Sequence, residues 1–398
     1  MSLGHGAKIV TNGLVFAYDM GPNPGVNKSW KGKPTTNLHT NTDTLSGWYF
    51  VDSSYSNGRL IAGTSSAAHF VLQDKSVVSG TVYTQSVEVK YDGVRYFQIA
   101  PSTGFSTNFA AFDLVDGTVA GGNTSAASIA DIGNGYYRCS YTATATSTTS
   151  SGRMAFGPNE SSTSRLEVWV GNGANGVLLR NPQIEANSFA TPFINGTRSN
   201  TEALLDWTGN NTITADSLIY DSDGTFRFDG TTQDNRCTIT PSTELSSLRG
   251  TTGITVESWV NYSSYSGGTE SYSVITCWGA PWVWLVENPS SRLRFRITAG
   301  GADVNIADTS NHALNTWIQV VGTYDGATKK IYVNGVLKNS SAQTGVLGSP
   351  GGTPKIGTYQ GTNYCMSGKI GDVKIYNRAL TADEITTNFN ALRGRYGI

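Results

Sequence analysis

Apolar residues recur at every second position in several short stretches of this chain, and only once at helical spacing. In KIVTNGLVFAYDMGPN (8–23), Leu14, Phe16 and Tyr18 alternate before the turn residues Gly21-Pro22-Asn23-Pro24. A period of two puts one face of a strand in a core and the other toward water. The polar segment that follows, Ser29 through Asn41, offers no second strand to pair with it. From about Gly80 to Ile194 short strands succeed one another. Tyr83, Val87, Val89 and Tyr91 share a face in VYTQSVEVKY (82–91), as do Leu166, Val168 and Val170 in RLEVWV (165–170). A second block runs from about Phe226 to Tyr376. Its cleanest member, RLRFRI (292–297), sets Leu293, Phe295 and Ile297 against Arg292, Arg294 and Arg296. Asn334-Gly335 marks a two-residue hairpin loop, because both residue types tolerate positive φ.

Helical spacing is confined to the C-terminus. Thr381 and Glu384 form a Thr-x-x-Glu capping box, with Leu380 and Ile385 as its hydrophobic staple. Ile385, Phe389 and Leu392 fall on one face, and Gly394 is the expected stop. The pattern predicts an all-β chain: two antiparallel β-sandwich (jelly-roll) domains and one short C-terminal helix, placed on the edge of the second sandwich.

Composition narrows the class. Charged residues are 14% of the chain, against roughly a quarter in an average soluble protein. With 46 glycines, that favours strands and tight turns. Disorder is excluded by 11% aromatic residues and a net charge of −1. A pI of 6.4 gives no basic surplus for nucleic acid. No stretch reaches the roughly 18 apolar residues of a membrane-spanning helix, and MSLGHGAKIV lacks the blocks of a signal peptide. Cys139, Cys237, Cys277 and Cys365 form no CxxC pair and are expected as small buried thiols. His5, His39, His69 and His312 are scattered, which argues against a zinc cluster.

From about Thr225 to Ile398 the chain resembles the laminin-G-like, concanavalin-type jelly-roll family. The resemblance is carried by FRFDG (226–230), GITVESWV (253–260), TWIQVVGTYDG with KKIYVNG, and SGKIGDVKIYNRALTADEI (367–385). The family usually has an acidic pair before its final strand. Here that pair is Gly371 and Asp372, so the resemblance leaves Asp229 and Asp372 as weak calcium candidates. Calcium takes about six to eight oxygens, and no metal or other cofactor is assigned.

DIGNGYYRCSYTATA (131–145) and NPQIEANSFATPFINGTRS (181–199) resemble carbohydrate-binding-module-like domains of bacteriophage appendages. The opening run looks like the first strand of phage laminin-G-like virion proteins, where an LxDxSGN turn and FxFDG soon follow. Here LLDWTGNNTITA begins only at residue 204 and GTFRFDG at 224. The expected map is therefore an insertion: 1–36 as the first strand of the laminin-G-like sandwich, 37–196 as an inserted carbohydrate-binding-module-like sandwich, and 197–398 as the remainder. Insertion at an exposed loop needs the inserted domain's ends to lie close together. The alternative is a free arm followed by two domains in series.

Motifs for hydrolytic or phosphoryl chemistry are missing: no G-x-S-x-G, no H-E-x-x-H, no P-loop. The Glu-x-Asp-x-x-Glu string of concanavalin-type glucanases is absent too, and Glu257 in TVESWV reads as a solvated strand face. Aromatics are the stronger signal, since sugars stack flat C–H faces on rings. Residues 261–288 hold Tyr262, Tyr265, Tyr272, Trp278, Trp282 and Trp284. Tyr265 and Trp282 lead the saccharide candidates, with Tyr262 and Tyr272 beside them; Trp278 and Trp284 read as core. A core or subunit contact is the competing reading for the whole group. Arg292, Arg294 and Arg296 suit acidic sugars or a neighbouring subunit's acids, the plain alternative being a solvated face. Tyr91, Arg95 and Tyr96 form a second candidate group in the inserted domain.

These readings converge on a non-catalytic phage structural protein: a capsid decoration, head fibre or tail-associated adhesin, made in the host cytoplasm and carried on the virion. Its expected partners are other virion proteins and a host cell-surface glycan, with homo-oligomerisation open and neither nucleic acid nor membrane insertion implied. A depolymerase with acids drawn from distant strands, and a bacterial surface adhesin with an export signal or anchor, are the alternatives.

Overall fold

A computed structural model describes residues 8–21, 29, 31–220, 226–232, 234–265, 272–278, 282–287, 292–349, 352–359 and 364–398. The turn at Pro22-Asn23-Pro24 and His5 lie outside the described residues. The chain divides into two compact units, one made of 1–33 with 199–398, the other of 34–198. Both are antiparallel β-sandwiches.

In the first unit the described residues form two eight-stranded sheets. Across the front sheet run Ile219–Tyr220, Phe226–Asp229, Ser367–Tyr376, Ile254–Tyr262, Trp317–Tyr324, Thr328–Val333 and Val336–Ala342. The opening strand, Leu14–Asp19, pairs antiparallel with Ser367–Tyr376 from Leu14↔Tyr376 to Asp19↔Asp372. The turn quoted as LLDWTGN meets it as well. Asp206 Oδ1 accepts the Ala17 N–H at 2.9 Å, and Asn211 Nδ2 donates to the Val15 carbonyl at 3.0 Å. The back sheet contains Arg292–Ala299, whose Leu293, Phe295 and Ile297 are buried in one core with Val256, Val260 and Tyr262 of the front sheet. Gly322 makes room for this packing, since a Cβ there would lie 2.5 Å from the Phe295 ring.

The C-terminal helix, Ala382–Leu392, starts with both bonds of the Thr381/Glu384 capping box. It covers the outer face of the front sheet rather than an edge: Trp259 lies parallel to Phe389 at 5.8 Å and to Tyr396 at 4.2 Å. The α-helix ends at Leu392, just before Gly394. A 3-10 turn, Arg393–Tyr396, continues to Gly397, which adopts φ 74°.

That covering layer corrects the reading of Glu257, which is fully buried rather than solvated. It accepts from Gln319 Nε2 at 3.0 Å and from Asn388 Nδ2 of the helix at 2.7 Å, and it faces Lys374 Nζ at 3.7 Å. A polar residue on a strand's outer face is buried once a second layer packs on that face.

In the second unit two six-stranded sheets enclose Val87, Val89, Phe97, Ile99, Phe112 and Phe156. One holds Val82–Asp92 between Tyr136–Thr144 and Gly176–Glu185; the other holds Tyr96–Pro101 between Ala110–Asp113 and Met154–Asn159. Thr35–Thr36 pairs with Thr197–Arg198, which brings the two ends of this unit together. RLEVWV is mostly loop: only Trp169–Val170 is strand, and Val168 and Val170 are exposed. Leu166 adopts φ 42°, which breaks the alternation, and the strand part pairs with Ser66–Ala67. All four cysteines are buried and none forms a disulfide.

Candidate functional site

Four neighbouring strands of the first unit place one outward side chain each in a single row. Arg227 sits between core residues Phe226 and Phe228, so alternation turns it outward. Lys369 follows on Ser367–Tyr376, Asn261 stands opposite Lys369, and Trp317 opposite Asn261. The row borders an open groove of ≈ 570 Å³, lined also by Asp229, Asn315 and the Ser263–Ser367 hydroxyl pair. Tyr396, at the end of the C-terminal segment, holds Trp317 from one side at 4.8 Å. Gly368 is required here: its φ is 135°, and a Cβ would meet the Asn261 carbonyl at 2.1 Å.

A half-buried indole, amide and hydroxyl groups, and two cations are the chemistry that grips a saccharide: stacking on the ring, hydrogen bonds to hydroxyls, and charge for a carboxylate substituent. Asp229 is the acid among the described lining residues. Its Oδ1 already accepts the N–H groups of Thr231 and Thr232 at 2.8 and 2.9 Å. Burial opposes ionisation of this carboxyl, but those bonds outweigh it and hold the carboxyl below its ordinary value.

The residues singled out from the sequence fall elsewhere. Trp282 and Tyr262 belong to the core and have no face open to a ligand. Aromatic density marked the interior because large rings fill the space between sheets. Tyr265 is half-buried beside Tyr262, and its hydroxyl donates to the His312 carbonyl. Tyr272 opens a strand, but its side chain, like that of Trp284, lies outside the described residues. Arg292, Arg294 and Arg296 lie on the back sheet, on the side away from its core, and Arg296 forms an ion pair within the chain with Asp303. In the second unit Tyr91 is exposed on one sheet, while Tyr96 opens a strand of the other and Arg95 precedes it. Arg227, Trp317 and Lys369 stand in the motifs FRFDG, TWIQVVGTYDG and SGKIGDVKIYNRALTADEI, which were read for the family resemblance and not for their outward residues.

Asp372, the second calcium candidate, is buried and accepts from Lys374 Nζ. Burial pushes its carboxyl up to about 7, against the pull of Lys374. A carboxyl matched to an ammonium inside the protein is not a calcium donor. Among the described residues no three His, Cys, Asp or Glu side chains converge as a metal site.

Residues 229–386 match a family model described as the concanavalin A-like lectin/glucanases superfamily. No curated protein matches the chain. Similar solved structures include the botulinum neurotoxin serotype G binding domain, at 18% identity over 47% of this chain and 48% of that one, with a TM-score of 0.40. The receptor binding domain of botulinum neurotoxin D is similar at 16% identity over 48% and 50%, with a TM-score of 0.39. The chain spans about half the length of the structures it matches.

Proposed function

We propose that this chain is a non-catalytic saccharide-binding component of a bacteriophage particle, and that the groove of the first unit is its binding face. The observation that carries the binding role is the row Arg227, Lys369, Asn261 and Trp317 on four neighbouring strands, beside the C-terminal segment that packs on Trp259 and Trp317. The two cations select for sugars that carry a carboxylate. Support for the particle comes from the sequence, where the opening strand, LLDWTGN and FRFDG resemble phage laminin-G-like proteins. Glycoside cleavage needs two carboxylates about 5 to 10 Å apart, and the described lining of the groove supplies Asp229 alone.

Two experiments test the two halves. A glycan array probed with the purified chain, followed by a reducing-end assay on each sugar bound, is expected to give binding without release of reducing ends. Release of reducing ends would replace the binding role with a depolymerase. Antibody against the chain is expected to decorate intact particles in electron micrographs; label confined to the particle-free fraction would remove the virion assignment.

A further inference from the structure

The second unit carries a pocket of ≈ 380 Å³ lined by Gly93, Val94, Arg95, Tyr96, Glu160, Trp169, Val170, Asn172 and Asn175. It lies outside the segment that matches the lectin/glucanase model, and it is built rather than incidental. Two buried amides anchor the irregular segment beside it. Gln98 Nε2 donates to the Ser164 carbonyl at 2.7 Å and its Oε1 accepts from Leu166 N–H at 2.9 Å. Asn159 donates to Ser161 at 2.6 Å and accepts from Glu167 N–H at 3.0 Å. Both side chains come from neighbouring strands of one sheet. Trp169 is fixed in two ways: its backbone pairs with Ala67, and its ring meets the edge of buried His69 at 4.5 Å. Gly93 has φ 98°, and a Cβ there would come within 2.6 Å of Asn175, so only glycine leaves that amide in place.

The chemistry of the lining selects a ligand class. Arg95 spends Nε and Nη2 on Asp113 and Asp116, at 2.8 and 2.5 Å, so two carboxylates offset its charge while Nη1 is left to donate. Asn172 uses Oδ1 on the Ala174 and Asn175 N–H groups at 2.9 and 2.7 Å, which leaves its amide nitrogen to donate. Glu160 is exposed and supplies a carboxylate acceptor for hydroxyl groups. Tyr96 and Trp169, both half-buried, add ring surface. Rings, two donors and an acceptor fit a polyhydroxylated ring, and the surplus of carboxylates over guanidinium repels anions. The volume lies in the lower part of the range for small-molecule pockets, about 300 to 1,000 Å³. We infer that this pocket is a second saccharide site, selective for neutral pyranoses, whereas the groove of the first unit favours carboxylated ones.

Calorimetric titration of the whole chain tests this with gluco-, galacto- and manno-configured neutral trisaccharides and with trigalacturonate. At least one neutral trisaccharide is expected to bind saturably. Trp169→Ala and Glu160→Ala should each weaken that binding about tenfold, through lost stacking and lost charge-assisted hydrogen bonds. Lys369→Met, in the first unit, should leave it unchanged, so the two sites succeed or fail separately. Glu160 is exposed, so its variant keeps the test open even where Trp169→Ala misfolds. The inference is overturned if no neutral trisaccharide saturates by about 10 mM, if neither variant weakens binding, or if trigalacturonate binds as tightly and loses affinity with Trp169→Ala.

Discussion

The rings of Trp259 and Tyr396 are stacked 4.2 Å apart with their planes 4° from parallel, and both are buried. This contact clamps the end of the chain to the outer face of the front sheet. It also explains why residue 371 is a glycine. A Cβ there would lie 2.7 Å from the Tyr396 ring, so the position is given over to packing. Tyr396→Ala should cost about 3–5 kcal/mol, the range for removing a large buried aromatic side chain. Urea denaturation measures the loss. The same variant should weaken saccharide binding, because Trp317 loses the neighbour that holds it; unchanged affinity would separate the clamp from the groove.

Beneath the helix, Asp19 and Asp372 face each other directly in the strand ladder, an arrangement that like charges disfavour. Arg395 binds the first at 2.7 Å and Lys374 binds the second. Burial leaves Asp372 raised from 3.8 to about 7. Between those values the folded state holds a proton that the unfolded state has released. The contribution of this group to stability therefore falls as pH rises from about 4 to about 7 and is level above that. Melting temperatures of the wild type and of Asp372→Asn across this window should differ in slope, with the decline shallower in the variant.

Glu384 behaves in the opposite sense. Arg378, with Nη1 and Nη2 at 2.8 and 2.6 Å, holds its carboxyl down at about 2 from an ordinary 4.5, and the Thr381 N–H adds to the pull. Its stabilisation is complete above about pH 4.5 and is lost as pH falls toward 2. Discounted for solvent screening, it amounts to about 1 kcal/mol. Glu384→Gln should lower the melting temperature at pH 6 and converge with the wild type near pH 2; a constant difference across that range would contradict the assignment.

Lys374 faces both Glu257 and Asp372 with almost no exposure. Lys374→Met strands two carboxylates in the interior, which costs about 3–5 kcal/mol when one partner of a buried pair is removed. Denaturant midpoints should show a larger loss at pH 8, where Asp372 is ionised, than at pH 5. An equal loss at both would mean that Asp372 does not titrate in this window.

The β-sandwich class was legible because both cores are written as alternation, most plainly at Leu293, Phe295 and Ile297. The capping box was legible because its two partners are three residues apart. The polar layer was not: Glu257, Asp372 and Lys374 sit at outward positions, and nothing local announces the helix that covers them. The groove escaped for a related reason. Trp317 is a single ring at the start of its strand, and its companions come from strands distant in sequence, so only the sheet order assembles them. Trp278 and Trp282, clustered in sequence, pack edge to face 5.5 Å apart inside the core.

The most direct test of the saccharide groove is calorimetric titration of a carboxylated trisaccharide, trigalacturonate, into the wild type and into Lys369→Met/Asn261→Ala. Saturable binding is expected, weakening as salt rises and dropping at least about tenfold in the double variant, with the melting temperature unchanged. Wild-type and double-variant chains that bind equally well would contradict it, as would a wild type that does not bind.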